Sequence, residues 1–136
     1  MALLAVNEGE NAILTRLLNG GSFALSLGLF KNNLTPTDAT VFADVTAATF
    51  TGYAAVTLTD GSWSIVSGAP CVASYAQQTF TCSASGTAET IYGYYVYRGT
   101  TLYWIERFST ANQQSISTSG QTVKVTPRIT AKDESA

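Results

Sequence analysis

Residues 91–108 read IYGYYVYRGTTLYWIERF. Ile91, Gly93, Tyr95 and Tyr97 alternate with Tyr92, Tyr94 and Val96; after Arg98-Gly99-Thr100, Leu102, Trp104, Glu106 and Phe108 alternate with Tyr103, Ile105 and Arg107. Period two in aromatic and β-branched residues, broken by a glycine turn, predicts the two arms of an antiparallel hairpin. Both faces of that hairpin are apolar. Such a strand pair does not suit a solvated outer face, so it is expected to lie centrally in its sheet or to meet another chain on one side.

The same period runs outward in both directions. Phe23, Leu25, Leu27 and Leu29 face away from Ala24, Ser26 and Gly28, which predicts a half-buried strand. Residues 52–58 form the next, closed by Asp60-Gly61 and resumed at Trp63-Ser-Ile-Val66, the strongest hairpin signal in the chain. Ala69-Pro70 opens an extended stretch between Cys71 and Cys82. If it is one strand, the two sulfurs lie roughly 36 Å apart, and only a hairpin between them would permit a bond. Val123, Val125 and Ile129 alternate with Lys124, Thr126, Arg128 and Thr130, and Pro127, which cannot donate to a ladder, predicts an edge or a break there.

One helix precedes all this. Asn7 is placed to cap it with Glu10 as the reciprocal partner, Ile13, Leu14, Leu17 and Leu18 form a narrow stripe, and Gly20-Gly21 stop it. The expected fold is therefore mainly β: an antiparallel β-sandwich or jelly-roll-like barrel of about seven or eight strands with one short N-terminal helix. The 136 residues suit a single domain, 1–136, with the helix at 7–19 and a polar tail at 131–136.

Composition narrows the function. Charged residues are 12% of the chain, against roughly 25% in typical soluble domains. With 7 Lys+Arg and 9 Asp+Glu there is no basic footprint for nucleic acid or an anionic membrane, and no apolar run approaches a membrane span. Histidine is absent, which removes Ser-His-Asp and Cys-His catalysis and most zinc sites. No cofactor or metal motif is present, and the reading is of a protein that is not an enzyme. Glu106 and Glu89 flank the aromatic hairpin, where a cross-strand ion pair, for Glu106 with Arg98 or Lys124, is a simpler role than catalysis. Asp38, Asp44 and Asp60 are scattered without calcium-loop spacing. Cys71 and Cys82, lacking a base, read as small buried hydrophobes. The one constellation with a functional alternative is Tyr92, Tyr94, Tyr95, Tyr97, Tyr103 and Trp104. On a sheet face these could stack on sugar rings; core and subunit interface is the preferred reading.

Five segments carry a resemblance: KNNLTP at 31–36, ATFTGYA at 48–54, ASYAQQTF at 73–80, IYGYYV at 91–96 and KVTP at 124–127. Together they resemble a group of small virion structural proteins of tailed bacteriophages. The resemblance implies a capsid decoration, or cement, protein on the capsid exterior, commonly a homotrimer, whose partners are its own copies and the major capsid protein. A tail or baseplate component and, in a different class, a carbohydrate-binding β-sandwich module are the alternatives. The candidate interface residues are Leu3, Leu4 and Val6 in the N-terminal segment and Tyr92, Tyr94, Tyr97, Tyr103 and Trp104 on the hairpin. Low charge fits such a role, because surface that meets a shell needs no charge for solubility.

Overall fold

A computed structural model describes residues 6–131. The fold is mainly β and antiparallel with one N-terminal helix, consistent with the expected sandwich class; among the described residues no sheet closes into a barrel. Strands are shorter and more numerous than the alternation predicts, eleven in four sheets among the described residues. The described chain falls into two compact units that are interleaved in sequence: its residues up to 24, 58–77 and those from 126 onward contribute to the first, and 25–57 and 78–125 to the second.

The first unit holds the helix α1 (Asn7–Asn19) and a three-stranded sheet of β3 (Ser64–Val66), β4 (Cys71–Ser74) and β11 (Arg128–Ala131), with β4 in the middle. Leu14 and Leu18 are the buried part of the helical stripe, one turn apart, and Glu10 is buried on the same side. Ile13 lies outside it, 65% exposed. The expected capping box is not formed. Val6 is the N-cap residue, it cannot cap through its side chain, and Asn7 is already the first helical residue.

The Asp60-Gly61 turn also departs from expectation. No hairpin joins β3 to the preceding strand; β3 pairs with β4 instead. The turn is taken up by the end of the helix. The Asp60 carboxylate accepts N–H bonds from Gly21 at 2.6 Å and Phe23 at 2.8 Å, and Gly61 N–H donates to the Leu18 carbonyl at 3.0 Å. The Gly21 N–H above all holds the Asp60 carboxyl below the usual carboxylate range. A turn signal is thus spent on one free carbonyl of the helix terminus and on the backbone N–H groups just beyond it.

The second unit holds a four-stranded sheet in the order β2-β1-β7-β8: β2 (Val56–Leu58), at the unit's boundary, β1 (Leu25–Phe30), β7 (Gly93–Arg98) and β8 (Thr101–Arg107). Two small pairs accompany it, β5 (Gln78–Thr81) with β10 (Thr122–Val125) and β6 (Glu89–Ile91) with β9 (Gln114–Ile116). The stretch from Cys71 to Cys82 is therefore two strands in different sheets, and both cysteines are free and buried. Pro127 breaks the last strand as expected: β10 ends at Val125, and β11, an outer strand, begins at Arg128.

Candidate functional site

The hairpin predicted at 91–108 is β7 and β8, joined through Gly99-Thr100, with Gly99 at φ 59°, in the position a type II′ turn reserves for glycine. Cross-strand register assigns its faces. On one, Ser26, Gly28 and Phe30 of β1 lie opposite Tyr97, Tyr95 and Gly93 of β7; on the other, Leu27 and Leu29 lie opposite Val96 and Tyr94. β1 is buried on both faces rather than half-buried, because an aromatic ring covers its second face at Gly28. Gly28 sits beneath the Tyr95 ring and Gly93 beneath the Phe30 ring, so two glycine-aromatic pairs run in opposite senses across the ladder. A Cβ at Gly28 would come within 2.6 Å of the Tyr95 ring. Phe42 closes over Tyr95 and Tyr97, with centroids 6.2 and 5.1 Å away, and the Tyr53 hydroxyl oxygen accepts the Leu29 N–H at 3.0 Å. Burial, then the neighbouring Tyr53 and Tyr97, pushes the Tyr95 phenol far above its ordinary value.

β8 has a different environment. It is the outermost strand of its sheet among the described residues, and Leu102, Tyr103, Trp104 and Ile105 are all half-buried. The register slips between Val96 and Tyr97, so that Val96 faces Trp104 and Tyr97 faces Leu102, leaving Tyr103 as the extra residue of a β-bulge. Bulges twist an edge strand away from flat pairing and re-aim side chains. Here Tyr103 and Trp104 come side by side, with ring centroids 5.7 Å apart and planes tilted by 39°. Beside them runs the segment 31–41, pinned from β8 itself: Arg107 donates to the Leu34 carbonyl at 2.7 Å and Asn33 Oδ1 at 2.6 Å, and its guanidinium lies 5.1 Å from the centre of the Tyr92 ring. Between segment and strand lies a cleft of about 470 Å³ lined by Pro36, Thr37, Asp38, Thr40 and residues 102–105.

The candidate interface residues are thus dispersed. Tyr94 is core, 5% exposed, and its hydroxyl donates to the Glu106 carboxylate at 2.5 Å. Tyr92 and Tyr97 are half-buried around the same sheet, Tyr103 and Trp104 line the cleft, and Val6 is 57% exposed at the helix start. Leu3 and Leu4 lie outside the described residues. An exposed row made of Tyr92, Tyr94 and Trp104 is not formed, since its middle member is buried.

The carboxylates flanking the hairpin are occupied structurally. Glu106 takes the Tyr94 hydroxyl. Glu89 accepts from Thr49 N–H, Thr49 Oγ1 and Phe50 N–H, each at 2.8 Å, and lies 3.4 Å from Lys31 Nζ. Burial raises the Glu89 carboxyl, but the Thr49, Phe50 and Lys31 bonds together outweigh it and the net displacement is downward. Among the described residues no group of three or more His, Cys, Asp or Glu is placed to hold a metal ion, and no helix is long and apolar enough to cross a membrane.

Sequence reasoning missed Asp38 and the segment 36–40 as partners of β8. They lie more than sixty positions away in the chain, and the only hint was the turn chemistry of residues 32–38. It also missed a shallow groove of about 610 Å³ along α1, lined by the exposed Ile13 and the half-buried Leu17 and Phe23. The chain matches no protein-family model, no curated protein and no solved structure.

Proposed function

We propose that this protein is a non-enzymatic virion structural protein of tailed bacteriophages, a capsid decoration protein that self-associates, as a trimer, and binds the outside of the shell. The resemblance of the five segments supplies the class. The observation that carries the role is the apolar surface of α1: Ile13, 65% exposed, lines its groove, and Val6 at the helix start is 57% exposed, in a chain only 12% charged. Contiguous apolar surface with few charges favours burial against another protein over exposure to water. Assembly on a lattice would cover it, and binding of the folded state alone would add to its stability by mass action.

Sedimentation velocity of the purified protein, followed by co-sedimentation with capsid shells lacking it, tests this reading. A trimer that pellets with shells, and an Ile13→Asp variant that loses both properties while keeping its circular dichroism, is the expected result. A monomer without affinity for shells overturns it, and density on the tail in a cryo-electron map would move the protein to the tail or baseplate.

A further inference from the structure

The cleft beside β8 has a composition that capsid binding does not require. Its walls carry one charged side chain, the exposed Asp38, together with the hydroxyl residues Thr37 and Thr40 and the paired rings of Tyr103 and Trp104. Among the described residues neither the Asp38 carboxylate nor the Trp104 indole N–H has a hydrogen-bond partner. An acceptor and a donor thus stand open at an aromatic platform. The loop that carries the acceptor is rigidly placed: Arg107 holds it at residues 33 and 34, and Thr37 N–H donates to Thr40 Oγ1 at 2.8 Å while Thr40 N–H returns to the Thr37 carbonyl at 3.0 Å. Little ordering is left for a ligand to impose.

We propose that this cleft binds a neutral saccharide, with one sugar ring stacked on Trp104 and Tyr103 and its hydroxyls held by Asp38. A pyranose presents a C–H face to an aromatic ring and hydroxyl donors at its rim, which matches a platform edged by a carboxylate. Phosphates and nucleotides are repelled, since the single charge is negative. A cationic ligand is the competitor this carboxylate would also attract, so choline, which would need only one ring face, is carried as a rival probe in the test. The volume, about 470 Å³, admits a small ligand of one or two rings. This goes beyond the capsid reading and does not depend on it.

The chain has two tryptophans, and Trp63 is buried, so a Trp63→Phe variant reports on Trp104 alone. We would titrate it with the methyl glycosides of glucose, galactose and N-acetylglucosamine at about millimolar concentration, and measure saturation-transfer NMR with the same glycosides on the unaltered protein. At least one glycoside is expected to shift Trp104 emission and to receive saturation at its ring C–H protons. Asp38→Asn, at an exposed position, should weaken that binding about tenfold, and Trp104→Phe, which keeps a ring but loses the N–H, about threefold. Absence of binding by all three glycosides overturns the proposal, as does binding indifferent to Asp38→Asn. Two further results would overturn it by naming another occupant: choline displacing the glycosides, or a sedimentation mass that falls on Trp104→Ala in a protein that binds no glycoside.

Discussion

β7 and β8 are arms of one hairpin with nearly the same residue types, yet Gly93, Tyr94, Tyr95 and Val96 are buried while Leu102, Tyr103, Trp104 and Ile105 are only half so. Apolarity on both faces predicts the same burial for each arm. What separates them is position. β7 has β1 on one side and β8 on the other, so its side chains meet neighbours across both ladders; among the described residues β8 has one neighbour, and it carries a bulge. The lesson is that a two-sided apolar strand can mean core, or it can mean a surface prepared for a ligand or partner, and sheet order decides which.

The sharpest way to break the contrast is at the glycines under β7. A Cβ at Gly93 would lie 2.1 Å from the Glu106 carbonyl oxygen and 2.6 Å from the Phe30 ring. Backbone cannot step aside as a side chain does, so Gly93→Ala should cost at least about 3 kcal/mol in urea denaturation. Gly28→Ala meets only the far end of the Tyr95 ring and should cost less, about 1–3 kcal/mol. Truncation sharpens the same comparison. Leu29, fully buried opposite Tyr94, should lose about 3 kcal/mol as Leu29→Ala, and Leu102, half-exposed on β8, under about 1 kcal/mol as Leu102→Ala. Equal losses in the two leucine variants would mean that β8 is core after all.

The buried half of this comparison was legible in the chain and the exposed half was not, for a physical reason. β1, β7, the Gly99 turn, the Gly20-Gly21 helix stop and the Pro127 break follow from local chemistry: side-chain period, φ preference, a missing N–H. Asp60-Gly61 misled because the same residues that close hairpins can satisfy a helix terminus, and only tertiary structure chooses. Asn7 misled in the opposite way, since the helix began one residue earlier than its cap signal. The cleft was out of reach altogether. It joins Asp38 to Trp104 through an Arg107 that reads in sequence as one more polar strand residue.

Two carboxylates carry the comparison to its smallest effects. Glu89 anchors the segment at Thr49 and Phe50, and its folded-state pKa lies below its ordinary value. The sign follows from proton linkage: the unfolded chain, whose glutamates titrate near about 4.3, binds the proton more readily, so the stabilisation is complete above that pH and is lost as pH falls through the lower folded value. Glu89→Gln should therefore cost about 1–2 kcal/mol at neutral pH and flatten the acid limb of a stability-pH curve. Asp38 is the opposite case. It is exposed and has no partner among the described residues, so nothing in the folded protein holds its charge in place. Asp38→Asn should change stability by less than about 0.5 kcal/mol in urea denaturation. A larger loss would show that the carboxylate serves the fold of the segment, and it would take from the cleft the one charge that stands ready for a ligand.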